Sequence, residues 1–435
     1  MSALKKILKK TLIYLLILEA RIALRRHQPK IITVTGSIGK TSTKDAIFSV
    51  LSGSFAVRKS DKSFNTEVGV PLTILGLTNA WNSPLGWAKN LMKGLSVALL
   101  DKNYPTWLVL EVGADAPGDI ASVAKWITPT IAVLTAVPDV PVHVEYFPSP
   151  EAVLKEKRAL PDAVKKDGLV IIDGDCAHTK KISTTFAPRT VKTYGYDKSN
   201  DILISSAFVV YEKTKPVGMD FMITSGDAEV DASTRGVVGK QGGYPIAAAV
   251  AVGKFLNIPH ETLSTRLRGH EAPKGRMRLL EGIHGSVVID DTYNASPEAV
   301  NAALEALSSI TCTGNRIAVI GDMAELGKYT QQAHVETGEY AVSRCDVLCT
   351  IGMRAKDMAA AAINAGMKED AVFEYKHGEW QELIEKLESM ITQHDIVLLK
   401  GSQFIRLEKV AIHLLKEPGR AKELLVRQDE EWQKR

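Results

Sequence analysis

Apolar residues along most of this chain fall in short β-branched runs, each followed by a stretch of helical spacing. Residues 31–34 (Ile-Ile-Thr-Val) form the first such run, a glycine-rich segment follows at 36–39, and 41–51 is helix-compatible. Further strand-like runs at 107–110, 131–134 and 169–172 alternate with helical stretches, which predicts a parallel sheet covered on both faces. From 191 to 238 the pattern turns to short polar alternation (202–210, 219–224 and 228–233), predicting antiparallel strands, and 247–256 reads as a helix. Residues 269–275 (Gly-His-Glu-Ala-Pro-Lys-Gly) read as a hinge. Beyond them the alternation restarts, with strands at 286–289, 316–320, 347–351 and 396–399 and helices at 297–308 and 331–343. In the segment 81–100, Trp81, Trp87, Leu91, Met92 and Leu95 make one apolar stripe, the pattern of a helix packed on the core.

The segment 4–24 is apolar but interrupted. Its longest uncharged stretch, 11–18, falls far short of the roughly 20 residues a membrane span requires. Lys5, Lys6, Lys9 and Lys10 open an amphipathic helix that can lie on an anionic membrane surface or pack on the body of the protein; both readings stay open. Residues 1–30 hold eight Lys/Arg against one acid, Glu19, so the net charge of +4 leaves the remainder at −3. A slightly acidic body argues against nucleic-acid binding, which places positive charge on the folded domain. Hydrophobic content of 45% and charged content of 24% suit a globular protein with sizeable cores. The four cysteines (Cys176, Cys312, Cys345, Cys349) have no metal-ligand spacing and suit a reducing cytoplasm.

The strongest local chemical signal is Thr35-Gly36-Ser37-Ile38-Gly39-Lys40-Thr41-Ser42-Thr43, between a strand and a helix. Backbone N–H groups of Gly36, Ser37 and Gly39, with the positive end of the following helix, can cradle phosphate oxygens. Lys40 would neutralise the outer phosphates, and the hydroxyls of Thr41 and Ser42 stand where Mg²⁺ and phosphate are bound. Val34 occupies the place of the first glycine in the general phosphate-loop pattern.

This loop variant resembles that of the Mur ligases, the ATP-dependent amino-acid-adding enzymes of cell-wall peptide synthesis. Asn65-Thr66-Glu67-Val68-Gly69-Val70-Pro71 is similar to the family element that follows the first helix. Glu111-Val112-Gly113-Ala114 resembles the family's magnesium-binding glutamate motif, and His143-Val144-Glu145 precedes Lys157 by the family spacing. Lys274-Gly275-Arg276 resembles the hinge whose arginine reaches ATP from the second domain. Asp290-Asp291-Thr292-Tyr293-Asn294-Ala295-Ser296-Pro297 resembles the branch that adds D-alanyl-D-alanine, with Lys400-Gly401-Ser402, Arg406 and Glu408 in agreement. Asn294 or Ser296 is also placed to cap the helix that follows.

The residues of 1–30 themselves give a basic amphipathic helix, and the resemblance implies an α/β fold: a central phosphate-loop ATPase domain with a mostly parallel sheet (31–269) and a C-terminal Rossmann-like α/β domain (270–435). It implies a ligase that forms an acyl phosphate from ATP and a peptide-bearing cell-wall precursor, then transfers the acyl group to D-Ala-D-Ala. Two Mg²⁺ ions are implied at Thr41, Glu111 and His143, with Lys157 carbamylated; ATP contacts are implied for Arg276, Asp290 and Asn294, and substrate contacts for Asn65, Thr66, Lys400 and Arg406. It further implies a cytoplasmic monomer; contact with the inner face of the plasma membrane through residues 1–27 rests on the lysines and apolar stripe of that segment, beside the open reading in which it packs on the body. Two departures stand out. About 30 residues precede the loop, too few for the family's usual UDP-holding first domain, and Gln241 and Pro245 stand where the family's adenine-placing residues belong. Still open are a related ligase with another acceptor or a membrane-linked donor, such as a glutamate-chain synthetase, a phosphate-loop NTPase that ligates nothing, and a catalytically inert binding partner.

Overall fold

The computed structural model describes residues 3–61 and 64–433; the first two residues of the N-terminal segment lie outside them. Nine strands form the central sheet: β1 (Lys30–Thr35), β2 (Val57–Lys59), β3 (Trp107–Glu111), β4 (Ile131–Leu134), β5 (Leu169–Asp173), β6 (Thr190–Gly195), β7 (Ile202–Glu212), β8 (Lys215–Ser225) and β9 (Ala228–Arg235). Their order is β2-β3-β1-β4-β5-β6-β7-β8-β9. Pairing is parallel from β2 through β7 and antiparallel across β7, β8 and β9. The expectation of antiparallel strands from 191 onward is therefore corrected at β6. That strand follows a helical crossover and adds to the parallel part, because a crossover returns the chain in the same direction.

A second sheet holds β10 (Arg278–Glu281), β11 (Val287–Asp291), β12 (Arg316–Gly321), β13 (Val347–Ile351), β14 (Val372–Tyr375) and β15 (Ile396–Lys400), in the order β10-β11-β15-β12-β13-β14. Only the β10–β11 pair is antiparallel. Both sheets are apolar on both faces, as parallel strands under two helical layers must be. The sequence expectation of an α/β chain with a mostly parallel central sheet and a second nucleotide-type sheet holds.

Four helices flank the central sheet near β1 and β3: α2 (Lys40–Leu51) on one face, and α1 (Ala3–His27), α3 (Gly69–Leu75) and α4 (Pro84–Leu100) on the other. Helix α2 buries Ala46, Ile47, Val50 and Leu51 beneath the helix Gly243–Phe255, each larger side chain contributing about 1.5–3 kcal/mol. Helix α1 buries Leu16, Ala20 and Ala23 against α3 and α4, so its inner face packs on the body. The stripe expected as core along α4 is split. Trp87 and Leu91 pack inward, whereas Met92 and Leu95 are exposed, as is Trp81 ahead of the helix.

Candidate active site

The phosphate-type loop joins the C-terminal end of β1 to α2. Gly36 has φ 142° and presses on β4: a Cβ there would lie 2.0 Å from Thr135 Oγ1, so glycine is required. Gly39 caps α2 in the left-handed region (φ 82°). The first helical bond runs from Thr43 N to Gly39 O (2.9 Å), which leaves the amides of Lys40, Thr41 and Ser42 without intrahelical acceptors. These are the groups an anion would meet. Lys40 Nζ donates to Gly36 O (2.9 Å) and Ser37 O (3.2 Å), folding back over the loop. Burial lowers its pKa, opposed by Glu111 and assisted by Arg276.

Glu111 ends β3 opposite Val34 of β1, which brings its carboxylate beside the loop. Its Oε1 accepts from Thr41 Oγ1 (3.1 Å) and Asn65 Nδ2 (3.1 Å), while Ser60 Oγ accepts from its backbone N–H (3.0 Å). Its Oε2 is buried with no hydrogen bond and faces Lys44 Nζ at 3.8 Å. A buried carboxylate oxygen left without a donor, beside a threonine hydroxyl and phosphate-facing amides, fits a hard cation that completes its shell with water and phosphate. His143 opens onto the same cavity in a left-handed conformation (φ 67°). Its Nδ1 lies 2.5 Å from Glu325 Oε2 and its Nε2 3.7 Å from Asp115 Oδ1, and this pairing holds the Glu325 carboxyl below the usual range. Among the described residues no three His, Cys, Asp or Glu side chains converge as a ready-made metal cage.

Lys157 lies on the helix Pro150–Asp162, with its side chain buried in the same cavity. Desolvation first, and then the Lys40 charge, push its ammonium down to about 7. Such a lysine presents a neutral, nucleophilic amine near physiological pH.

This cavity, about 290 Å³, is walled by Lys40, Thr41, Glu111, His143 and Lys157 from the central sheet and by Arg276, Tyr293 and Asn294 from the second. It opens, past Gly39 and Arg276, into a more apolar cavity of about 480 Å³ that contains Tyr194, Tyr244, Gln241, Pro245 and Lys400. Arg276 lines both chambers, and its guanidinium stacks on Tyr293. Gln241 and Pro245, the two departures in the sequence, both lie in the larger chamber.

Several sequence assignments move. Asp290 is fully buried and occupied by Thr292 (Oγ1 at 2.6 Å), and burial raises its carboxyl to about 6. Its neighbour Asp291 faces the larger chamber and pairs with Lys400 Nζ at 2.5 Å, because successive strand residues point to opposite faces. Lys400 also donates to Asn294 O (3.0 Å), which ties two expected site residues together. Thr66 is exposed, its hydroxyl accepts from Gly69 N (3.3 Å) just ahead of α3, and it lines neither chamber. Arg406 is also outside both chambers: it pairs with Glu408, which in turn binds Arg427 Nη1 at 3.0 Å. Ser296 is the N-cap residue of its helix, but its side chain makes no capping bond. Asp291 stands inside the Asp290–Pro297 motif, which does not say which of its two aspartates faces the cleft, and Glu325 stands in the Gly321–Gly327 element, also similar to the family's. No local pattern marks Asp115 or Lys44, which gain their places through His143 and Glu111, distant in the chain.

Residues 34–253 match the Mur ligase middle domain, and residues 275–403 match the Mur ligase glutamate ligase domain. A UDP-N-acetylmuramoyl-tripeptide–D-alanyl-D-alanine ligase of Bacillus subtilis is 28% identical, the alignment covering 92% of this chain and 79% of the relative. The ligase of that name from Mycobacterium leprae is 30% identical, over 88% of this chain and 72% of the relative. Among solved structures, MurF ligase from Thermotoga maritima in complex with ADP superposes with a TM-score of 0.76 at 26% identity, covering 94% of this chain and 84% of that one. MurF from Acinetobacter baumannii shares the fold, with a TM-score of 0.74 at 22% identity over 91% of this chain and 79% of that one. With the phosphate loop, Glu111 and Lys157 inside the first domain match and Arg276 inside the second, the chain belongs to the Mur ligase family.

Proposed function

We propose that this chain is an ATP-dependent, ADP-forming ligase that joins the carboxylate of a muramoyl-peptide cell-wall precursor to the amine of D-alanyl-D-alanine. The observation that carries the reading is a single cavity between two sheets. In it a phosphate-type loop, a buried carboxylate with an oxygen that accepts no hydrogen bond, a buried lysine and an arginine from the second half converge. The names of the relatives from Bacillus subtilis and Mycobacterium leprae support the choice of acceptor.

The triphosphate sits on the amides of Lys40, Thr41 and Ser42, and Lys40 exchanges its loop carbonyls for phosphate oxygens. The larger chamber takes the nucleoside. Thr41 and Glu111 would hold Mg²⁺, whose charge would offset the repulsion between the γ-phosphate and the donor carboxylate. A donor carboxylate oxygen attacks the γ-phosphorus; an O–P bond forms, the bond to ADP breaks, and an acyl phosphate results. The acceptor amine then attacks the acyl carbon, loses a proton, and inorganic phosphate leaves with its C–O bond broken. Arg276, from the second half, neutralises phosphate charge as the halves 31–269 and 270–435 close and exclude water. The neutral amine of Lys157 would attack CO₂, forming an N–C bond and releasing one proton, and the resulting carbamate would be placed with His143 to hold a second Mg²⁺; the pKa of about 7 supports this. The reading includes a monomer in the cytoplasm, touching the inner face of the membrane through residues 1–27.

The test is ADP release measured with UDP-linked and lipid-linked muramoyl-peptide donors against a panel of amines. ADP formation should require both donor and amine, with D-Ala-D-Ala the best acceptor. ATP hydrolysis that no amine accelerates would replace the ligase with a phosphate-loop NTPase, and preference for another amine would replace the acceptor.

A further inference from the structure

Sixteen large apolar side chains are exposed among the described residues, and eleven of them lie on α1, on α4 or at Trp81 just ahead of α4. Scattered exposed leucines are ordinary; a concentration on two touching helices is not. Along α4, Leu85, Met92 and Leu99 recur every seven residues, with exposures of 85%, 69% and 42%. Along α1, Ile7, Tyr14 and Leu18 make the corresponding outward ridge. Every residue of α3 is buried beneath these two helices, so both ridges face away from a common inner layer. The helices are locked together. A Cβ on Gly94 would lie 2.2 Å from Glu19 Oε2, and His27 Nε2 meets Val97 O at 3.1 Å.

The charge exposed on the two helices has one sign. Lys9, Lys10, Arg21 and Arg25 are exposed on α1, and Lys89 and Lys93 on α4. The single acid on either helix is Glu19, which is buried, and desolvation raises its carboxyl to about 7. An apolar ridge within a basic collar complements an anionic lipid surface, whose headgroups take the cations while the acyl boundary takes the ridge. No described helix is long and apolar enough to cross a membrane. The face also has a position relative to the site. Lys9 lies 3.9 Å from Glu67, two residues after the Asn65 that holds Glu111, so the first half of α1 borders the cleft end of the sheet.

We infer that α1 and α4 together form one platform that lies flat on an anionic bilayer, holding the cleft beside the membrane surface. This deepens the membrane-contact part of the proposed function by adding α4, and it is independent of the ligation chemistry.

The experiment is flotation of the full chain with vesicles of phosphatidylglycerol and phosphatidylcholine in equal parts, and with phosphatidylcholine alone, without ATP. The chain should float with the anionic vesicles only and detach as salt rises to about 0.5 M, where screening is short-ranged. Leu85→Glu with Met92→Glu, and separately Lys89→Glu with Lys93→Glu, should each lower partitioning at least about tenfold. Both pairs are exposed, and both variants should keep the parent's ADP release with soluble donors. Equal binding to neutral vesicles, or undiminished binding by both variants, overturns the inference. So does a dimer in solution that Met92→Glu dissolves, since the face would then belong to a second copy. Loss of ligation with vesicle binding intact counts against the ligase reading alone.

Discussion

The guanidinium of Arg276 lies 4.1 Å from the centre of the Tyr293 ring, and that ring belongs to the same loop as Asn294, on the wall of the phosphate chamber. A cation held against an aromatic face is aimed before any ligand arrives, a contact of about 0.5–2 kcal/mol. Arg276→Ala should therefore lower kcat/KM for ATP by about 100-fold, since a charge facing the transferred phosphoryl group is lost. Tyr293→Leu, which keeps the charge but not its aim, should lower it by about tenfold. Steady-state kinetics decide; a larger loss for Tyr293→Leu than for Arg276→Ala would reverse the roles.

Behind Tyr293 stands Arg427, brought back from the C-terminal tail. It donates to Thr292 O and Glu408 Oε2, both at 3.0 Å, and to Tyr293 O. Without Arg427, Glu408 keeps only Arg406 among the described residues, and the part-buried carbonyls of Thr292 and Tyr293 lose this donor, at a cost of about 1–3 kcal/mol. Arg427→Ala should lower the melting temperature and also raise KM for ATP about tenfold, with kcat much less affected; Arg427→Lys should recover part of both. A lowered melting temperature with an unchanged KM would make Arg427 purely structural rather than a positioning residue.

Asn65 orients the Glu111 carboxylate through a 3.1 Å bond to the oxygen that also accepts from Thr41. Partners that orient a metal-binding carboxylate typically matter by about 10–100-fold in metal affinity. Asn65→Ala should raise the half-saturating Mg²⁺ concentration about tenfold, and Glu111→Gln by about 100-fold or more. Titration of ADP release with Mg²⁺ checks both. If Asn65→Ala instead raised KM for the donor at saturating Mg²⁺, Asn65 would be the substrate contact that its motif suggested.

Lys157 titrates near 7 in the folded chain against an ordinary 10.5. Between those values the unfolded chain binds a proton here that the folded chain does not, so folded stability rises with pH across that window. In bicarbonate-free buffer Lys157→Met should be more stable than the parent near pH 7, and the gap should narrow towards pH 10.5. Melting temperatures across that range test the sign; a widening gap would refute it. Ligation at limiting bicarbonate should likewise rise as pH rises through about 7, and ¹³C-bicarbonate should give a carbamate resonance that Lys157→Met lacks.

The phosphate loop was legible because its chemistry is contiguous: Gly36, Gly39, Lys40 and Thr41 act through backbone shape and a helix start, both local. The parallel strands were legible for a related reason, since burial on two faces leaves an uninterrupted apolar run at β3, β4 and β5. Misreadings came where a pattern states polarity but not direction. Asp290 and Asp291 are chemically identical in the sequence, and only the pairing of β11 with β15 decides which one meets Lys400. The α4 stripe is apolar in the sequence; packing alone decides that Trp87 and Leu91 turn inward while Met92 faces out.

From the sequence alone came the element types, the phosphate-type loop and the candidate residue kinds gathered around it, because each depends on neighbours within one helical turn or strand. Tertiary structure decided which of those residues meet: Thr41 with Glu111 across 70 positions, and Arg427 with Thr292 across 135. Such contacts depend on sheet register and on how two sheets face one another. Side-chain periodicity specifies a face to be buried, and only the folded chain specifies what is buried against it.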